Sequence, residues 1–97
     1  IAPGQFPLHY SPGIPLRMNA KKPKKEEAFL LTKKRKISYE NYYYLSKKND
    51  MKESAKNLYS LLRKIKNDGY KMVAVEKIQN KGIGRTINDR LNKASKY

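Results

Sequence analysis

The stretch Asn57-Leu58-Tyr59-Ser60-Leu61-Leu62-Arg63-Lys64-Ile65, followed by Met72-Val73-Ala74-Val75 and then by Gly82-Ile83-Gly84-Arg85-Thr86-Ile87-Asn88-Asp89-Arg90-Leu91, decides the fold. In the first segment, Leu58, Leu62 and Ile65 recur at helical spacing, extended backwards by Met51 and Ala55 and widened by Tyr59 and Leu61. Asp50 with Glu53 three residues on is a capping-box-like start, and Gly69 offers a left-handed stop. The four residues Met72 to Val75 are apolar without alternation, the pattern of a strand covered on both faces. Ile83, Ile87, Leu91 and Ala94 then mark one side of a second helix, about Gly84 to Ser95.

Upstream, Leu16, Met18 and Ala20 alternate with Arg17 and Asn19, which predicts a half-buried strand with the three apolar residues on one face. Glu27 to Thr32, which holds Ala28-Phe29-Leu30-Leu31, is too short for a helix and is most simply a second strand, and Tyr42 to Leu45 is an aromatic-rich third. The third strand, the helix after it and the run Met72 to Val75 form a β-α-β unit, which places the two strands parallel in one sheet through a right-handed crossover. The expected fold is therefore α/β: a small Rossmann-like sheet of about four mostly parallel strands with two long helices, in two or three layers.

Residues 1–15 contain four of the five prolines, together with Phe6, His9 and Tyr10. Each proline fixes its own φ and pushes its predecessor toward extended conformations, so this stretch reads as a stiff arm, although composition alone fits an ordinary tether with a few apolar residues more simply; the small α/β domain then occupies residues 16–97. The chain opens at Ile1 without a methionine, in loop-like composition, which suggests a piece of a longer polypeptide.

The 97 residues carry a formal charge of +15, the electrostatic footprint of many nucleic-acid binders. Its distribution tempers that reading, because residues 21–48 hold ten cations against three acids and residues 49–97 twelve against five. Eighteen of the 23 cations are lysine, mixed with abundant asparagine, tyrosine and isoleucine, so a solvated lysine-rich surface is the plainer explanation. Lys33-Lys34-Arg35-Lys36 likewise reads first as a solvated turn between strands. There is no cysteine, and His9 is the only histidine, so the chain lacks the elements of a catalytic triad or a thiolate metal site. The expectation is a protein that is not an enzyme by itself, with no catalytic residue, no metal and no cofactor of its own, in a cytoplasmic setting without a membrane-spanning segment.

Gly82 and Gly84 at a helix N-terminus after a parallel strand occupy the place where phosphates bind in open α/β sheets. The motif is only Gly-x-Gly, and tight turning with close helix packing explains it more simply. Asn88 and Arg90 could face a ligand or partner from the same edge, although a local pair of Asp89 with Arg85 accounts for the neighbouring charges equally well.

The arm Ala2-Pro3-Gly4, His9-Tyr10-Ser11-Pro12 and Pro15-Leu16 resembles the linker of two-domain threonylcarbamoyl-AMP synthases. Asn57 to Arg63, then Ile78, Gly82-Ile83-Gly84 and Ile87-Asn88-Asp89-Arg90-Leu91, is similar to the end of their C-terminal (SUA) domain, in order and at matching spacing. Gln5, Lys66 and Gln79-Asn80-Lys81 depart from the usual pattern, and residues 21–41 do not align.

The resemblance implies a domain from an enzyme of nucleotidyltransferase type. Such an enzyme makes threonylcarbamoyl-AMP from ATP, L-threonine and bicarbonate for threonylcarbamoyladenosine in tRNA modification. ATP, with Mg a candidate companion, belongs to an N-terminal YrdC-like catalytic domain, the partner implied in cis. Pro3, Gly4, His9, Tyr10 and Pro12 are then the linker contacts to that domain, gating its active site, and residues 16–97 form an accessory, regulatory module. The alternative reading is a basic tRNA- or RNA-binding module, with weak non-specific nucleic-acid contacts and no membrane.

Overall fold

The computed structural model describes residues 14–94. Four strands and two helices follow in the order β1 (Leu16–Ala20), β2 (Ala28–Leu31), β3 (Tyr42–Tyr44), α1 (Met51–Asn67), β4 (Val73–Glu76) and α2 (Ile83–Ala94). The strands form one sheet in the order β1-β4-β2-β3, and every neighbouring pair is parallel. The last strand in sequence thus lies inside the sheet, with Val73 beside both Leu16 and Ala28 and Ala74 beside both Arg17 and Phe29. Val73, Ala74 and Val75 are fully buried, as their unbroken apolar run requires of a strand covered on both faces. Met72, by contrast, precedes the strand and is exposed.

Helix α1 starts where expected, with one difference in its cap. The Asp50 carboxylate accepts from the Lys52 and Glu53 amides at 2.9 and 3.2 Å. The returning half of a capping box is made by Ser46, whose Oγ accepts from the Asp50 amide at 3.0 Å. At the other end Gly69, with φ +101°, lets the Gly69 and Tyr70 amides donate back to the Lys66 and Ile65 carbonyls, the paired bonds of a Schellman stop. Leu58, Leu62 and Ile65 are buried, together with Ser54, whose hydroxyl donates to the Asp50 carbonyl.

Both helices cover the same face of the sheet. Leu58, Leu62 and Ile65 of α1 and Ile87, Leu91 and Ala94 of α2 share one cluster with Ala28, Leu30, Tyr43, Val73 and Val75. Ala20, Phe29, Leu31 and Ala74 form a second cluster on the opposite face, with Tyr42 and Tyr44 against it and no helix residue in it. The architecture is a two-layer α/β sheet.

Two details correct the expectations. Leu16 and Met18 pack on the helix-covered face, but Ala20 packs on the other. Asn19, with φ +56°, sits in a register shift between Arg17 and Ala20, and a bulge of that kind reverses which side the next residue faces. In α2, Ile83 is partly exposed and Gly84 takes the buried place, because the helix begins pressed against the preceding loop.

Candidate functional site

The carboxyl edge of the sheet gathers the ends of β2 and β4 and the beginnings of both helices. Thr32, Asn49, Met51, Lys77, Lys81 and Gly84 border an open depression of about 450 Å³ there. Gly82 turns the chain into α2 with φ +59°. At Gly84 an added Cβ would collide with the Gln79 carbonyl oxygen, so this glycine is required by close approach of backbone to backbone. Its own amide donates to the Lys81 carbonyl at 3.1 Å, and the Arg85 amide donates to that of Gly82 at 3.2 Å. At the facing helix, the Lys52 and Glu53 amides are already taken by the Asp50 carboxylate.

Asn88 donates from Nδ2 to the Ile78 carbonyl at 2.8 Å and so fastens α2 to the loop leaving β4. Arg90 reaches the Ala55 carbonyl of α1 at 3.5 Å. Asp89 pairs with Lys93, one turn on at 3.3 Å, and this takes the place of the expected pairing with Arg85. The structure therefore brings Gly82, Gly84 and Asn88 to one edge, where Gly84 and Asn88 hold α2 against the sheet. Among the described residues no group of three or more His, Cys, Asp or Glu side chains is placed to hold a metal ion. Pro3, Gly4, His9, Tyr10 and Pro12 lie outside the described residues.

Where the arm meets the domain, Ile14 is buried at 2% exposure within the main core, beside the strands. Immediately after it, the Pro15 carbonyl accepts from the Val73 amide at 3.0 Å. The chain thus leaves the arm already bonded to the central strand β4.

The second face holds polar structure that the sequence did not announce. Arg17 grips Glu27 through two bonds, Nη2 to Oε1 at 2.8 Å and Nε to Oε2 at 3.1 Å, and the Lys24 amide adds a third at 2.7 Å. The hydrogen bond from Arg17 holds the 3%-exposed Glu27 carboxyl below its usual range, against the opposing effect of burial. At the carboxyl end, Glu76 accepts from Arg35 Nη2 at 2.6 Å and from the amide and hydroxyl of Thr32. The Arg35 guanidinium lies 5.1 Å from the Phe29 ring centre. One of four adjacent cations read as a solvated turn is therefore an anchor. Glu76 is the first polar residue after the buried Val73-Ala74-Val75, where a carboxylate needs a partner, but its position does not say which residue that partner is.

On the helix side, the Tyr43 hydroxyl donates to Asp68 at 2.6 Å. Burial first, and then that carboxylate, push the Tyr43 phenol well up, while the Tyr43 bond draws the Asp68 carboxyl down.

Residues 1–96 match the family described as threonylcarbamoyl-AMP synthase, C-terminal domain. The chain belongs to this family. No curated protein and no solved structure gives a significant match. Membership accounts for the resemblance of both the arm and the segment from Asn57 to Leu91, because the matched residues span the two. It also covers the lysine-rich stretch 21–41, where the linker and helix motifs offered no alignment. No helix among the described residues is long and apolar enough to cross a membrane.

Proposed function

We propose that this domain performs no chemistry of its own and serves a threonylcarbamoyl-AMP synthase as a positioning module, its arm acting as a gate over a catalytic domain carried in cis. The observation that carries this reading is the fixed root of the arm: Ile14 is sunk in the core and the Pro15 carbonyl is bonded to Val73. A gate needs a stationary pivot, and the root is joined to β4, a strand paired on both sides within the sheet. His9 and Tyr10 lie only a few residues from that pivot in sequence, within reach of a neighbour packed beside the domain.

The edge residues support the same reading. Gly84 and Asn88 are engaged in holding α2 to the β4 loop, a structural task that leaves the chemistry to the catalytic domain. ATP and its metal would then bind to that domain. The 97-residue chain, given ATP, L-threonine and bicarbonate, is expected to form no threonylcarbamoyl-AMP. Tyr10→Ala in the parent synthase is expected to alter turnover while leaving the unfolding of this domain unchanged. Product formation by the isolated chain, or unaltered kinetics in the variant, contradicts the proposal.

A further inference from the structure

We propose that the loop from Thr32 to Asn41, lying over the helix-free face, is a docking surface for unpaired RNA. Its centre is Tyr39, 60% exposed yet braced from below: its ring meets Tyr42 edge-on at 5.3 Å, and Tyr42 meets the buried Phe29 in the same way at 5.3 Å. A ladder of three rings thus runs from the core to the surface. The neighbouring backbone is held as well, since Tyr44 donates to Ser38 at 2.7 Å and Thr32 and Arg35 are tied to Glu76. An exposed aromatic ring on a braced loop loses little freedom when a flat partner stacks on it, and every base offers such a face.

The charge around the ring is one-sided. Between residues 32 and 48 there are six cations and one carboxylate, Glu40. Lys33, Lys34 and Lys36 are exposed, and no ion pair within the described residues engages them; Glu76, which could have offset them, is occupied by Arg35. Lysine is depleted where two proteins meet, because its ammonium is costly to desolvate, whereas a phosphate backbone releases counterions when lysines approach. Ile37, 69% exposed beside the cations, widens the apolar part of the platform. Duplex RNA hides its base faces, so the geometry favours an unpaired segment. The choice of RNA as the polyanion rests on the tRNA-modification reading above; the surface does not.

The test is fluorescence anisotropy of the full chain with a labelled oligouridine of about twelve nucleotides, within the length one such module tracks. Tyr39→Ala should weaken binding about tenfold, the scale of one lost stacking contact, while Tyr39→Phe should retain it. Replacing Lys33, Lys34 and Lys36 with Gln should lower the slope of log affinity against log salt by about 2. The proposal is overturned if Tyr39→Ala binds as the parent chain does, or if a duplex of the same length binds as tightly as the single strand. Because the readout is binding by this chain, it separates from the arm's effect on turnover in the synthase.

Discussion

The two faces of the sheet are closed by different physics. On one, α1 and α2 lay Leu58, Leu62, Ile65, Ile87 and Leu91 over Ala28, Leu30, Val73 and Val75. That burial is non-directional and scales with the apolar area removed from water. On the other, Phe29, Leu31 and Ala74 lie on the face where the sheet's two buttressing ion pairs occur, Arg17 with Glu27 and Arg35 with Glu76. Arg35 lies over Phe29, Tyr39 extends the aromatic ladder outward, and the loop carries the exposed lysines. The helix-covered face provides stability; the loop-covered face gives the molecule a chemically distinctive surface.

The contrast is sharpened first by cutting the helix-covered face. Leu62→Ala removes a fully buried side chain and should lower stability by about 2–5 kcal/mol, measured as a shift in the urea unfolding midpoint. A cost near zero would mean that α1 does not carry the core. Gly84→Ala comes next, because its Cβ must displace the Gln79 carbonyl; about 1–3 kcal/mol is expected from the same measurement.

Cutting the other face should act locally. Glu76→Gln should cost about 1 kcal/mol, and amide exchange should quicken around residues 32–41 while Val73 to Val75 stay protected. Exchange that rises equally in both clusters would erase the distinction between the faces.

The last expected effect is on how stability depends on pH in acid. Because Glu27 has its folded pKa drawn below the ordinary value of 4.5, its stabilisation is fully present above that value and fades as the pH falls through the folded pKa. Acid unfolding followed by circular dichroism should therefore be less steep below pH 4.5 in Glu27→Gln, with Asp68 contributing the dependence that remains.

How much of this was legible in the sequence follows the same division. Periodic burial writes itself into neighbouring residues, so Leu58, Leu62 and Ile65 disclosed α1, and the unalternating Val73-Ala74-Val75 disclosed an interior strand. Ion pairs between distant residues leave no period. Arg35 and Glu76 are 41 positions apart, and nothing local to either announces the other. The bulge at Asn19 was equally hidden, since its effect is a single reversed alternation at Ala20.

Strand order was out of reach for a related reason: the apolar content of β4 marks it as interior without naming β1 and β2 as its neighbours. At the candidate edge, the sequence found the glycines and Asn88 but could not tell ligand from scaffold. The collision at Gly84 and the bond from Asn88 to Ile78 decide what those two residues do in the fold.

The coupling of the arm to its root is the most direct test of the account. Steady-state formation of threonylcarbamoyl-AMP would be measured for the parent synthase carrying Tyr10→Ala, Ile14→Ala and both, with the domain's fold checked in each. If the arm works from the pivot at Ile14 and Pro15, each single change lowers turnover and the double variant is little worse than Tyr10→Ala alone. Losses that add in full, or an Ile14→Ala enzyme with undiminished turnover, would contradict it.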